Sequence, residues 1–191
     1  MRVAAAGLVA LLAASQARAD ELPPGIVRLL PAGHEVIATE TADLNGDGHG
    51  DYLVVTETEV PHGDELVEHL RSLFIVTTSA DEKPRIAARN DRVVYCRECG
   101  GMFPDPFEGI VAQRNEFSVR NFGGTAWRWA NEFVFRFSRR DRAWQLVKVV
   151  EGMFHIGSPE DDMTKTYIPD RDFRKIDFTD FDPANYRRKA E

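Results

Sequence analysis

The residues best placed to do chemistry are oxygen-bearing side chains at alternate positions between residues 43 and 51. Asp43, Asn45, Asp47 and Asp51 recur in this way, and His49 lies between the last two. A tightly wound loop points alternate residues inward, and Ca²⁺ takes six to eight oxygens at about 2.3–2.6 Å. We therefore predict a calcium site formed by the four side chains and the backbone carbonyl of His49.

A hairpin turn without any metal is the alternative for the same stretch. The dipeptides Asn45-Gly46 and Asp47-Gly48 are strong turn formers by themselves. In favour of the ion, carboxylate and amide groups crowded together repel one another when no cation is present. The loop is not an EF-hand, because its twelfth position is Val54 where an EF-hand has a bidentate Glu. A structural clip for the first hairpin is the expected role.

Two stretches resemble known families. The DxNxDGxxD pattern of residues 43–51 resembles the calcium loops of FG-GAP/VCBS-like segments, which implies the ligands named above. CRECGGMFPDPFEGI (residues 96–110) and NFGGTAWRW (residues 121–129) resemble a family of small uncharacterised secreted bacterial proteins. The sequence has no second Asp-rich copy, so a complete multi-blade propeller is not expected.

Residues 1–19 are typical of a secretory signal peptide. A positive start at Met1-Arg2 precedes an apolar run, and Ala17-Arg18-Ala19 fits a cleavage site. Removing Arg2 and Arg18 leaves 22 basic and 31 acidic residues, a formal net charge of −9. This balance argues against nucleic acid as a partner. We expect a periplasmic or secreted protein that does not insert into a membrane after signal cleavage.

Cys96 and Cys99 form the only pair of cysteines. A redox motif needs a helix that begins at the first cysteine, which the preceding β-rich residues and Gly100-Gly101 disfavour. A zinc site needs two further ligands, and no partner pair is present. A structural disulfide that holds a turn is the expectation in an oxidising compartment.

Hydrophobic alternation predicts a mainly β protein with a single domain of antiparallel strands and little helix. The clearest strand covers residues 127–137, where Trp127, Trp129, Phe133, Phe135 and Phe137 share one face. A sandwich, a barrel or a curved meander would each fit the strand spacing. We expect an extended lead-in over residues 20–33, the β domain over 34–181 and a frayed tail over 182–191. Residues 65–70 fit a short helix, residues 70–78 are rich in β formers, and a strand is favoured for residues 73–77.

Two loops, residues 100–109 and 123–129, are rich in glycine, proline and aromatic residues and form the candidate binding surface. Such loops are rigid, and binding residues concentrate in loops. The aromatic stripe of residues 127–137 could instead belong entirely to the core. The predicted contact residues are Phe103, Asp105, Phe107, Trp127 and Trp129.

No motif for catalysis accompanies these features. The five histidines lack metal-binding spacing, and no serine lies in a nucleophile elbow. We therefore expect an exported, calcium-stabilised module that binds a protein or glycan ligand outside the cytoplasm without chemistry of its own. The alternative is a periplasmic inhibitor or immunity protein against a lysozyme-like cell-wall hydrolase. A looser likeness to calcium-binding periplasmic lysozyme inhibitors, in export, size and β content, implies this second role. A hydrolase that uses the loop ion directly is a third possibility.

Overall fold

The computed structural model describes residues 22–62, 66–81, 83–102, 105–158 and 163–187. The signal peptide of the sequence prediction and the candidate contact residue Phe103 lie outside these ranges. The elements in chain order are α1 (Pro24–Val27), β1 (Glu35–Ala42), β2 (Asp51–His62), β3 (Leu66–Thr77), β4 (Arg85–Asn90), β5 (Phe107–Gln113), β6 (Glu116–Gly124), β7 (Trp127–Ser138), β8 (Ala143–His155) and β9 (Lys165–Tyr167). Two 3₁₀ turns lie at Arg97–Gly100 and Phe178–Asp180.

The strands form two antiparallel sheets, which confirms the mainly β prediction. Strands β1 to β4 make the first sheet in chain order, and β5 to β9 make the second. Neither sheet closes on itself within the described residues, so of the three expected architectures the structure is a sandwich of two meanders. The hairpin around the Asp-rich stretch is present, with Ala42 paired to Asp51. Residues 66–70 belong to strand β3, so the alternative of a short helix there is wrong.

The main core lies between the two sheets. Leu53 and Ile75 come from the first sheet, and Phe117, Phe133 and Phe135 come from the second. All five side chains are at most 1 % exposed. The alternation predicted for residues 127–137 therefore places its central phenylalanines in the core, as expected for a half-buried strand.

A β-bulge in β8 changes which residues face this core. Val134 pairs with Lys148, but the next residue, Phe135, pairs with Leu146. The extra residue of a bulge reverses the alternation along its strand. As a result Val149 is fully buried, and Val150, which the simple alternation places in the core, is not.

The C-terminal segment seals one edge of the sandwich. Phe173, Phe178 and Phe181 enter the main core, and the amide of buried Asn90 in β4 donates to the carbonyls of Phe178 and Phe181 at 2.6 and 2.9 Å. The sequence predicted a frayed tail from residue 182, and this prediction is wrong for the residues up to Tyr186. That side chain is 5 % exposed because its ring meets other aromatic rings of the core.

The sequence suggested an extended lead-in over residues 20–33, but part of this segment is helical. Residues Pro24–Val27 form one helical turn, for which Pro24 at the first position is well suited. The turn places Ile26 on the outer face of the first sheet, against Val54 and Phe74. This cover explains why the central strands of that sheet are apolar on both faces. No helix among the described residues is long and apolar enough to cross a membrane.

Candidate functional site

The Asp loop, residues 43–51, is wound by hydrogen bonds from its own side chains. The carboxylate of Asp43 accepts the backbone N–H groups of Gly46 and Gly48 at 2.7 and 3.1 Å. Asn45 and Asp47 each accept the N–H two residues further along at 2.8 Å. Gly46 and Gly48 have φ angles of 75° and 93°, a conformation that glycine adopts without strain.

Asp51 closes the loop from a buried position at the start of β2. Its carboxylate accepts the N–H of Leu44 at 3.0 Å and that of Thr78 at 3.1 Å. Burial raises the pKa of Asp51 to about 6, and the two N–H groups oppose this shift. The nearby charges of Asp47 and Asp43 raise the pKa further. Three carboxylates therefore lie close enough to interact.

The Asp loop also joins the two sheets, which the sequence did not suggest. The backbone N–H of Asn115, in the β5–β6 turn, donates to the carbonyl of Asp43 at 2.9 Å. The indole N–H of Trp144 in β8 donates to the carbonyl of Leu44, also at 2.9 Å, and Leu44 is fully buried. Arg114 adds an ion pair to Asp43, with Nε 3.5 Å from Oδ2. The loop conformation is thus tied to the packing of the sandwich.

The fit of a cation can be judged from the donors of the Asp loop. Within the described parts of the chain, no group of three or more His, Cys, Asp or Glu side chains is arranged to hold a metal ion. The Asp loop carries oxygen donors, the type that Ca²⁺ prefers. Its carboxylate oxygens accept loop N–H groups, and a carboxylate has further lone pairs for a cation. Burial is the main cause of the raised pKa of Asp51, and the smaller contribution from the charges of Asp47 and Asp43 is one that a cation would relieve.

Cys96 and Cys99 form a disulfide, with Cα atoms 5.2 Å apart. The sequence disfavoured a helix here, but a single 3₁₀ turn at Arg97–Gly100 follows Cys96. Side-chain contacts tie this turn to the first sheet: Arg97 forms an ion pair with Glu57, and Glu98 accepts a 2.5 Å hydrogen bond from the ring of His69. The disulfide therefore holds a turn, as expected.

Asp105 and Phe107, two of the predicted contact residues, instead hold a buried arginine. Arg71 is 3 % exposed and donates to both oxygens of Asp105, at 2.6 and 2.8 Å. It donates to Glu57 at 2.8 and 2.9 Å, and its guanidinium carbon lies 5.8 Å from the centre of the Phe107 ring. Arg71 and Asp105 are 34 residues apart, so no local pattern links them.

The two predicted tryptophans differ in exposure. Trp129 is partly buried and meets the ring of Tyr95 edge-on, with centroids 5.6 Å apart. Its ring crosses Gly123 so closely that a Cβ there would lie 2.5 Å from the indole. Trp127, in contrast, is 51 % exposed. Among the predicted contact residues that the structure describes, Trp127 is the clearly solvent-facing aromatic.

Large apolar side chains face solvent on Trp127 and on segments that backbone hydrogen bonds link to this end of the second sheet. We call this group the Trp127 patch; its members are 44–74 % exposed and comprise Met102, Trp127, Met153, Ile156 and Met163. Backbone bonds bring their segments together: Met102 to Gly124 at 3.2 Å, Ile156 to Ala126 at 2.9 Å and Met163 to Met153 at 2.9 Å. Sequence reasoning missed the methionines and Ile156 because they are scattered over sixty residues without periodicity.

An aromatic cleft of about 460 Å³ adjoins the Trp127 patch. Tyr95, Trp129 and Tyr167 contribute its rings, and Met153 and Met163 belong to both features. Charged groups also line it, namely Glu151, Lys165 and Arg187. The end of the five-stranded sheet thus combines an exposed apolar surface with a partly polar recess.

Comparison with protein families, curated proteins and solved structures gives no match to the chain. The class that the structure defines is therefore a two-sheet antiparallel β protein with a disulfide-held turn and an Asp-rich loop between its sheets.

Proposed function

We propose that the protein is an exported binding module that recognises a protein partner through the Trp127 patch and carries out no chemistry itself. The observation that carries this proposal is that five exposed apolar side chains lie on four separate segments, which backbone hydrogen bonds join at one end of the second sheet. Exposed apolar groups of this kind are typical of interaction surfaces. Methionine suits such a surface, since its flexible, polarizable side chain adapts to different contacts.

A protein is favoured over a glycan as the partner. Glycan sites depend on aromatic faces with polar groups around them, and the aromatic cleft beside the patch has that composition. The patch itself is dominated by Met and Ile side chains, which offer apolar area without hydrogen bonds. Burying such area from water is the main driving force of protein association.

A photoreactive cross-linker placed on the patch tests this function. Benzoylphenylalanine at Met153 and, as a control, at Val111, an exposed residue on β5, would be irradiated with exported proteins of the natural host. We expect a discrete adduct from Met153 and none from Val111. Excess unlabelled protein should suppress the adduct, and excess Trp127→Ser protein should not. Equal adducts at both positions, or none, would contradict the proposal.

Inhibition of a lysozyme-like hydrolase is the second candidate, and the acidic surface favours it. The formal net charge of −9 after signal removal would steer the protein towards a basic enzyme. The test is a turbidity assay with several lysozyme types, comparing the natural protein with Trp127→Ser. Loss of inhibition in the variant would place the contact on the patch, and no inhibition of any lysozyme would remove this candidate.

We also propose that Ca²⁺ binds the Asp loop and stabilises the fold. Asp43, Asn45, Asp47 and Asp51 would hold it through side chains and His49 through its carbonyl. The support is the oxygen-only donor set of the loop, together with the charges of Asp43 and Asp47 that act on Asp51. Bound there, the cation would offset the carboxylate repulsion and stiffen the junction between the sheets.

A further inference from the structure

A second recess lies at the opposite end of the β7–β8 hairpin from the Trp127 patch. It is a cleft of about 570 Å³ between the Asp loop, the facing ends of β3 and β4, and the β7–β8 turn. Arg85, Arg139 and Arg142 line it, together with Asp47 and the rings of Phe137 and Trp144. Twelve residues of β7 separate the two ends, roughly 35 Å at the usual strand rise.

The arginines of this cleft are short of acidic partners. No hydrogen bond or ion pair joins the guanidinium of Arg139 or Arg142 to any other part of the described chain. Asp141, the acid of the same turn, is engaged elsewhere: Ser138 and Gln145 donate to it, and Lys175 lies 3.2 Å away. Both arginines are exposed, so their guanidinium groups are open to a ligand.

The third arginine is partly balanced. Arg85 donates from Nε to Thr77 at 3.2 Å, which orients it at the cleft wall. Hydrogen bonds from His49 and Asn45 lower the pKa of Asp47, against the effect of burial, and one from Ser79 lowers the pKa of Asp81. The charge of Arg85 makes a smaller contribution to both, so both acids lie within its field. Of these two, Asp47 lines the cleft. Three arginines against one aspartate leave a net charge of +2 on the cleft wall.

The turn that carries two of these arginines is held in place. Arg142 adopts a φ of 54°, and its N–H donates to the carbonyl of Ser138 at 2.7 Å. The hydroxyl of Ser138 is bound to Asp141 at 3.0 Å. On the other side, Arg139 lies across the Asp loop, where a Cβ on Gly46 would be 3.2 Å from its Nη2. The backbone that carries both arginines is therefore held in place before any ligand arrives. Binding then has to order only the two exposed side chains, which lowers its entropic cost.

We propose that this cleft binds a phosphate-bearing ligand. Guanidinium groups match phosphate oxygens with paired hydrogen bonds, and arginine is the preferred residue for such contacts. A single carboxylate carries one charge and is satisfied by one guanidinium. The net charge of +2 instead fits a group of charge −2 or more, as a phosphate monoester or a pyrophosphate has. The aromatic rings at the floor offer contact to the uncharged remainder of the ligand.

Titration calorimetry with inorganic pyrophosphate tests the assignment. The buffer should be freed of metal on a chelating resin, since soluble chelators are polycarboxylates that could occupy the cleft. We expect saturable binding that falls at least tenfold in Arg139→Gln/Arg142→Gln. Arg140→Gln is the matched control, because Arg140 is exposed in the same turn and does not line the cleft. It should change affinity less than twofold.

Three results would overturn the proposal. These are the absence of saturable binding, an equal loss in the Arg140→Gln control, and binding of citrate as tight as that of pyrophosphate. The first would remove the site, the second would indicate diffuse charge attraction, and the third would assign a carboxylate ligand. Thermal melting of each variant checks folding, and the single Arg139→Gln variant serves if the double one does not fold.

Discussion

Asp105 shows how burial elsewhere decides the role of a single loop residue. Its side chain is 48 % exposed, yet both of its oxygens accept hydrogen bonds from Arg71, whose side chain is 2 % exposed. Burial opposes ionisation of Asp105, but the bonds and charge of Arg71 prevail and lower its pKa below the usual 3.8. The stabilisation that Asp105 provides is therefore present above pH 3.8 and is lost as the pH falls through the lowered pKa.

Replacing Asp105 with Asn removes the charge that pairs with Arg71 and should reduce the free energy of unfolding by about 1–2 kcal/mol at pH 7. The loss is modest because water screens the half-exposed Asp105 side of the pair. Urea unfolding at a series of pH values would measure this. The gap in free energy of unfolding between the natural protein and Asp105→Asn should stay constant above about pH 5 and narrow below pH 3.8. Asp180→Asn, at an exposed position, is the control and should show no such gap. An Asp105→Asn gap that persists at the lowest accessible pH would contradict the assigned role.

At the scale of elements, the Asp loop acts as a joint, and its glycines make this testable. Gly46 and Gly48 both have positive φ, so alanine at either position brings a similar backbone strain of about 1 kcal/mol. A Cβ at Gly46 would also collide with Asn115 Oδ1 in the β5–β6 turn, whereas one at Gly48 would have nothing within 4 Å.

Gly46→Ala should therefore destabilise the protein by about 1–3 kcal/mol more than Gly48→Ala, the range for an overpacked contact. Urea unfolding of the two variants gives the difference directly. Equal losses of unfolding free energy would mean that the loop tolerates separation from the second sheet. That result would contradict the role of the Asp loop in joining the sheets.

The proposed binding of Ca²⁺ to the Asp loop would involve the whole loop and is tested at the same scale. A ligand that binds the folded state alone at 100 times its dissociation constant adds about 2.7 kcal/mol. Millimolar Ca²⁺ should therefore raise the melting temperature of the natural protein by several degrees, and Asp47→Ala should abolish the rise. Asp81→Ala is the control, because Asp81 is exposed in the β3–β4 connection and lies outside the loop. An unchanged melting temperature with and without Ca²⁺ would remove the proposed ion.

For the whole molecule, the features that could be predicted from the sequence were local ones. Alternation marks β7, and turn residues mark the β1–β2 hairpin, because strand and turn preferences act over a few residues. The choice of a sandwich depends on which sheet edges meet, such as β1 beside β5, and no residue pattern encodes that. The same limit hid the partnership of Arg71 with Asp105, the scattered Trp127 patch and the cover that α1 provides.

The helical turn α1 covers the outer face of the first sheet, which makes this sheet the middle of three layers. The molecule therefore has a second, smaller core between α1 and the first sheet. Ile26 is 1 % exposed and packs on Val54, Phe74 and Val76, and its neighbour Val27 is 47 % exposed. Ile26→Ala should lower the free energy of unfolding by about 2–4 kcal/mol, the usual cost of a buried cavity. Val27→Ala should change it by less than about 0.5 kcal/mol. Urea unfolding of the two variants tests whether residues 22–30 belong to the folded domain. Equal, small effects would show that the lead-in contributes nothing and that the outer face of the first sheet is stable without it.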